Sequence, residues 1–166
     1  MKKRWKISDV CLERDFDEIL EIEKVFGESG WNRRMFIQKV KKPAVPLFSV
    51  VKSGHNNRIE GYCSALLVME ELEIHRIAVR ESTRRQGVGS ILLLDVLRRA
   101  VKGGAFKAFL DVRDSNVEAQ CFYQKFGFVR TGLRSNYYSN PREDALVLGR
   151  PIKMLKAGNA CDTVKS

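Results

Sequence analysis

The feature that most constrains this chain is a glycine-bearing turn, RRQGVGS at residues 84–90, which separates a strand pattern from a long helical pattern. The N-terminus of a helix carries unpaired backbone N–H groups and a partial positive charge. Gly87 and Gly89 let an anion approach the backbone, and Arg84 and Arg85 add fixed positive charge. The turn therefore predicts a phosphate or pyrophosphate site. It lacks the GKS/T of a Walker loop and the GxGxxG of the dinucleotide fingerprint, which excludes both of those sites.

The segments around this turn predict an α/β chain. Residues 72–80 predict a strand, 87–102 a helix that Gly103-Gly104 end, and 105–113 an apolar strand. This unit is expected to be a parallel, right-handed β-α-β crossover. The remaining patterns predict strands at 4–10, 46–54, 58–71, 128–138 and 144–152, and helices at 14–26, 32–42 and 116–126. The order β-α-α-β-β-β-α-β-α-β-β indicates a mixed sheet, in which 46–54 and 58–71 pair as a hairpin.

Local signals mark several helix ends. Asp15, followed three residues later by Glu18, resembles a capping box with Asp in place of Ser or Thr. Pro43 stops the second helix, Asn116 is placed to cap the last one, and Gly127 ends it.

Length and composition predict one domain over residues 1–156 and a disordered polar tail over 157–166. No run approaches the ~20 apolar residues of a membrane span, and the basic N-terminus lacks the apolar segment of a secretory signal. The four cysteines form no CxxC pair and neither histidine shows ligand spacing with them, so free thiols and no metal site are predicted. These features predict a cytoplasmic protein with no membrane partner.

The balance of charge is strongly basic. Thirty Lys and Arg residues against 20 Asp and Glu residues give a formal net charge of +10. Such a charge indicates an acidic partner, which is a nucleic acid, an anionic cofactor or the surface of a ribonucleoprotein, or else it serves general solubility. Charge alone does not choose between these.

Two separated stretches resemble one known family. IAVRESTRRQGVGSILL is similar to the acyl-CoA loop of the GNAT N-acetyltransferase superfamily, with its pattern Q/R-x-x-G-x-G/A. FLDVRDSNVEAQCFYQKFGFVRTGLRSNYYSNPREDALVL resembles the closing motif of the protein N-terminal branch, which includes the RimI-like ribosomal-protein acetyltransferases and their archaeal relatives. The resemblance covers about residues 5–150. It implies the GNAT fold, a mixed sheet of about seven strands with about four helices and a β-splay for acetyl-CoA.

The resemblance also implies which residues bind acetyl-CoA. The loop would wrap the pyrophosphate with backbone amides, and the strand before it would offer backbone groups to the pantetheine arm, which lies in the splay between 72–80 and 105–113. Asn116 would hydrogen-bond the cofactor arm besides capping its helix. The implied cofactor-binding set is Ile77, Ala78, Val79, Arg84, Arg85, Gln86, Gly87, Val88, Gly89, Ser90, Asn116 and Tyr123.

Acetyl transfer requires an acid for the leaving sulfur and a base for the amine. Tyr123 occupies the position at which the family places its general acid. Asp111 matches the family's proposed base, although Asp replaces a longer Glu, so it acts either as the base or in orienting the substrate. Glu73 lies on the strand where other GNAT branches carry their base. His75 matches no catalytic position and is expected to pack within the sheet.

A peptide substrate is implied by RSNYYSNPRED, which resembles the loop that closes over a protein N-terminus. The implied substrate-binding residues are Glu28, Trp31, Arg134, Tyr137 and Tyr138. GESG before Trp31, and Glu81 and Thr83 at the loop entry, depart from the family pattern, so the preferred substrate residue stays open.

The leading prediction is an acetyl-CoA-dependent Nα-acetyltransferase of proteins, acting near the ribosome as a monomer or weak dimer. One alternative is a small-molecule acetyltransferase for polyamines or antibiotics. The other is a basic RNA- or ribosome-binding module that retains CoA binding, which the charge of +10 favours. The basic residues are dispersed, however, without the aromatic-basic repeat of an RNA platform.

Overall fold

The computed structural model describes residues 4–40 and 45–153. It contains a seven-stranded mixed sheet in the order β1-β2-β3-β4-β5-β7-β6. This confirms the predicted α/β class and the order of elements. The strands are β1 Trp5–Asp9, β2 Val45–Ser53, β3 Ile59–Val68, β4 Glu71–Val79, β5 Lys107–Arg113, β6 Val129–Ser139 and β7 Arg142–Pro151. The α-helices are α1 Leu12–Glu23, α2 Arg33–Val40, α3 Val88–Lys102 and α4 Val117–Lys125.

The predicted pairings are present. β2 and β3 form the antiparallel hairpin, and β4 and β5, joined by α3, run parallel. β3 and β4 are also a hairpin, joined by a tight turn in which Met69 has a φ of +53°. Neither Gly nor Pro marks this turn, so the sequence pattern predicts a continuous strand over 58–71 instead.

Helices cover both faces of the sheet. α3 buries the apolar stripe Val88, Leu92, Leu93, Val96, Leu97 and Ala100, and this stripe belongs to a core that also contains Leu72, Ile74 and Leu110. On the opposite face, Ile19 of α1 and Phe36 of α2 belong to a second core. No helix within 4–40 or 45–153 is long and apolar enough to cross a membrane.

The predicted capping box is wrong. α1 begins at Leu12 and Asp15 lies inside its first turn, where Asp15 Oδ2 accepts a hydrogen bond from the Cys11 N–H at 2.9 Å. Lys52 Nζ donates to Asp15 Oδ1 at 2.7 Å, and both side chains are buried. Glu18 reaches away and accepts from the backbone N–H of Ile59 at 2.8 Å. Both carboxylates therefore bond to residues that are distant in the sequence.

α1 also ends earlier than predicted. Its α-helical part stops at Glu23, and a 3-10 helix follows over Lys24–Ser29, with Gly27 at a φ of +54°. Asn32 then caps α2 by accepting from the Met35 N–H at 3.0 Å. The predicted end of α2 at 41–42 and the predicted tail at 157–166 lie outside the described residues.

Candidate active site

The site is a cleft where β4 and β5 part. The two strands are paired from Glu71 opposite Lys107 to Ile74 opposite Leu110. Beyond that point β4 stays paired with β3 as far as Val79, and β5 with β7 as far as Arg113. Each strand is therefore held from its outer side while the inner sides diverge.

The cleft has a volume of about 410 Å³ and is lined by five segments of the chain. β4 and β5 form its base, α4 and the end of β6 form two walls, and the connection between α1 and α2 forms another. The lining residues are Phe26, Trp31, His75, Arg76, Ile77, Asp111, Val112, Arg113, Asn116, Ala119, Tyr123, Tyr137, Tyr138, Ser139 and Asn140.

The glycine turn lies at the N-terminus of α3. Arg85 and Gly87 both have positive φ, +59° and +88°, and Gly87 is the N-cap residue. A Cβ on Gly87 would meet no heavy atom within 4 Å, so the space beside this backbone is open. Trp5 Nε1 donates to the Gln86 carbonyl at 3.3 Å, and Arg84 Nε donates to the Val79 carbonyl at 3.4 Å. The turn is thus attached to β1 and to the end of β4.

Asn116 and Tyr123 are both held by α4. Asn116 caps the helix through its side-chain oxygen, which accepts from the Ala119 N–H at 3.1 Å. Tyr123 is buried and packs edge-on against Phe122 and Phe128, with ring centroids 5.1 and 5.6 Å away. Burial raises the pKa of the Tyr123 phenol above its usual value, so the hydroxyl stays protonated at neutral pH.

Asp111 projects from β5 into a polar cluster. Its side chain is 18% exposed, and Oδ1 accepts from Arg134 Nε at 3.1 Å. Tyr137 also donates a hydrogen bond to Asp111. Burial, with the Asp111 charge next in importance, raises the pKa values of Tyr137 and Tyr138, whose rings meet edge-on at 5.1 Å. The carboxylate is therefore already a hydrogen-bond acceptor for two side chains.

The other predicted site residues lie at different depths. Trp31 lines the cleft and packs edge-on against Phe36. Glu73 is not among the residues that line the cleft, and its side chain is 38% exposed. Its Oε1 lies 3.3 Å from Nε2 of His75, and His75 does line the cleft. The Glu28 side chain lies outside the described part of the structure.

A buried ionic cluster that was not predicted from the sequence lies behind Trp31. Glu23, 3% exposed, accepts hydrogen bonds from the Trp31 N–H, the Tyr62 hydroxyl and the Arg76 guanidinium. The Arg76 guanidinium also lies 4.8 Å from the centroid of the Trp31 ring. The available signal was a charge at an apolar position, because Glu23 continues the buried stripe of α1 and Arg76 interrupts an apolar strand.

A second missed cluster fixes the end of β5. Arg113 Nη1 donates to Glu143 at 2.9 Å, and its guanidinium lies 4.1 Å from the centroid of the Tyr138 ring. Glu143 also accepts from the Ser115 N–H. These contacts join the end of β5 to β6 and β7.

Comparison with known proteins agrees with this architecture. The sequence pattern of the acetyltransferase (GNAT) family matches residues 16–128. A putative ribosomal protein bS18-alanine N-acetyltransferase of Bacillus subtilis (strain 168) is 33% identical over 149 residues, which are 89% of this chain and 96% of that protein. The crystal structure of the ribosomal-protein-S18-alanine N-acetyltransferase from Escherichia coli superposes with a TM-score of 0.79 at 26% identity, covering 95% of this chain and 99% of that one. Ard1 from Thermoplasma volcanium superposes with a TM-score of 0.80 at 25% identity, covering 90% and 99%. The predicted family is therefore confirmed: the chain belongs to the acetyltransferase (GNAT) family and is an N-acetyltransferase.

Proposed function

We propose that this protein transfers the acetyl group of acetyl-CoA to the N-terminal α-amine of a protein, with an N-terminal alanine as the preferred acceptor. The observation that carries this proposal is the cleft at the fork of β4 and β5, which brings the buried phenol of Tyr123, Asp111 and the paired Tyr137 and Tyr138 together. The names of the Bacillus subtilis and Escherichia coli relatives, both alanine N-acetyltransferases of a ribosomal protein, support the choice of acceptor.

The residues of the glycine turn fit a pyrophosphate. Open space beside Gly87, the N-terminus of α3 and the exposed guanidinium of Arg85, which lies 3.7 Å from Glu118, would together hold an anion. Ile77 to Val79 and Asn116 would hold the arm that leads from this site to the fork. Acetyl-CoA supplies an activated thioester when bound.

Within the cleft, Tyr123 acts as the acid that protonates the departing sulfur, because burial keeps its phenol protonated. Asp111 attracts the ammonium form of the acceptor and orients it. Its oxygens already accept from Arg134 and Tyr137, so we assign it orientation rather than proton removal.

The charges around the cleft argue against a polyamine acceptor. Arg76, Arg113 and Arg134 are each paired with a carboxylate, that of Glu23, Glu143 and Asp111 respectively. These pairs leave no net negative charge to hold a polycation. A peptide offers carbonyl oxygens to the same donors. The formal charge of +10 supports action near the ribosome, in the cytoplasm.

The test is acetyl-CoA-dependent thiol release with matched acceptors. Peptides beginning with Ala, Ser or Met are compared with N-terminally blocked, lysine-containing versions and with spermidine. We expect turnover of the free Ala peptide at least tenfold above the blocked peptide and spermidine. Preferential turnover of either control would contradict the proposed acceptor.

A further inference from the structure

The imidazole of His75 is a buried polar group that lines the cleft. Its side chain is 5% exposed, and neither Nδ1 nor Nε2 has a hydrogen-bond partner among the residues that the structure describes. Buried polar atoms are nearly always paired in folded proteins, and exceptions call for an explanation. Because His75 lines the cleft, a bound molecule can supply the missing partner.

A β-bulge places this side chain at the fork. In the pairing of β3 with β4, Ser64 lies opposite Arg76 and Ala65 opposite Ile74, so His75 is the extra residue. A bulge breaks the alternation of side chains, and His75 and Arg76 consequently both lie beside the Trp31 ring, with a centroid separation of 6.4 Å for His75. Bulges are frequent next to active sites because they re-aim a side chain.

The same residue stands where the two parallel strands separate. Ile74 and Leu110 are the last pair of β4 and β5, so His75 and Asp111 are the first residues beyond the fork on either strand. Both line the cleft, but their surroundings differ. Asp111 accepts from Arg134 and Tyr137. Within 4–40 and 45–153, in contrast, nothing hydrogen-bonds the ring nitrogens of His75, and Nε2 lies 3.3 Å from Glu73 Oε1.

We propose that His75 contacts the acceptor amine and receives its proton, and that Glu73 stabilises the resulting imidazolium. The proposal rests on the proposed acetyl transfer and deepens it. Because Nε2 lies 3.3 Å from Glu73 Oε1, we place the proton of the neutral ring on Nε2, which leaves Nδ1 as the accepting atom. Neither His75 nor this use of Glu73 matches the assignment made from the sequence, which expected His75 to pack within the sheet.

The step balances in atoms and protons. Nδ1 takes one proton from the ammonium, which frees the nitrogen lone pair to attack the acetyl carbon. The C–N bond forms and the C–S bond breaks. A second proton leaves the amine nitrogen, and the departing sulfur receives a proton from Tyr123, whose phenol is restored from the amine. The proton on His75 passes to solvent, so one proton is released in each turnover.

The experiment compares His75→Gln, which keeps a polar side chain of similar size but is not a base, and His75→Ala with the wild type on the free Ala peptide. We expect kcat to fall at least tenfold in both variants, with the Kd of acetyl-CoA changed less than twofold. Exogenous imidazole should raise the kcat of His75→Ala at least fivefold. Glu73 would contact His75 and not the amine itself, so Glu73→Gln should lower kcat by only about two- to fivefold. The exposed His55 provides the matched control, and His55→Gln should behave as wild type.

A kcat for His75→Gln within twofold of wild type would overturn the proposal while leaving the acetyltransferase function intact. Joint loss of acetyl-CoA binding and activity in both variants, without imidazole rescue, would assign His75 a structural role and overturn it as well. A wild type that acetylates spermidine but no free N-terminus would instead contradict the proposed acceptor.

Discussion

Glu23 is the residue whose removal should most clearly separate a structural contribution from a chemical one. Glu23 is the buried last residue of α1, and its carboxylate accepts hydrogen bonds from the Trp31 N–H, the Tyr62 hydroxyl and Arg76 of β4. Burial, followed by the neighbouring Glu23 charge, raises the pKa of Tyr62 well above its usual value, which keeps that hydroxyl a donor. Through these bonds Glu23 attaches the Trp31 wall of the cleft to the sheet.

The structure sets the expected magnitude for Glu23→Ala. Removing one partner of a buried ion pair costs about 3–5 kcal/mol, because the remaining charge loses its compensation. The Arg76 side chain is 19% exposed and can recover part of its hydration, so we expect the lower end, about 3 kcal/mol. With a urea slope of about 2 kcal/mol/M, the midpoint should fall by about 1.5 M.

Urea unfolding of the wild type, Glu23→Ala and Glu21→Ala measures this difference. Glu21 lies on the same helix and contacts Arg80 at 3.4 Å, but its side chain is 54% exposed, so its removal should cost less than about 1 kcal/mol. We also expect Glu23→Ala to raise the peptide KM, because the Trp31 wall loses its attachment. Equal midpoints for the two variants, or a loss below about 1 kcal/mol for Glu23→Ala, would refute the reasoning.

Three further predictions follow from individual contacts. Tyr123→Phe removes only the buried hydroxyl, so kcat for peptide acetylation should fall about 100-fold or more while the Kd of acetyl-CoA, measured by calorimetry, stays unchanged; equal kcat values would remove Tyr123 from the acid role. Gly87→Ala and Gly104→Ala both place a side chain at positive φ, +88° and +94°, in open space at the two ends of α3. Each should destabilise the fold by about 1–2 kcal/mol, but only Gly87→Ala should raise the KM of acetyl-CoA, and equal KM values would contradict the pyrophosphate site. Burial alone would raise the pKa of Asp15, but hydrogen bonds from its cationic neighbours and a backbone N–H lower it. A carboxyl group whose pKa is lowered by folding stabilises the fold at pH values above its unfolded pKa of about 3.9. This stabilisation is lost as the pH falls through the folded-state pKa. The urea midpoint of Asp15→Asn should therefore lie below that of wild type at pH 7 and approach it at pH 3, whereas the exposed Asp17→Asn should match wild type at both.

Features encoded within a few residues were predicted well. The helix α3, the glycine turn before it and the Asn116 cap depend on neighbours within one or two helical turns, and the structure contains all three. The capping box at Asp15 failed because its carboxylate forms a buried pair with Lys52, a partner 37 positions away. The turn at Met69 was not predicted, because the pairing of β3 with β4 imposes it on residues that have no turn preference of their own.

The same division applies to the site. The loop motif and the closing motif predicted the family and placed Tyr123 and Asp111, because short spacings in the sequence carry them. The roles of these residues remain predictions.

By itself, the sequence determined the order of elements, the glycine turn at the start of α3 and the membership of the acetyltransferase (GNAT) family. Only the tertiary structure decided that Arg134 and Tyr137 engage Asp111 and that Glu23 binds Arg76. It also decided that a bulge directs His75 into the cleft. The physical reason is that periodicity and capping act between neighbours in the chain, whereas a bulge and a buried ion pair depend on strands and helices that meet only after folding.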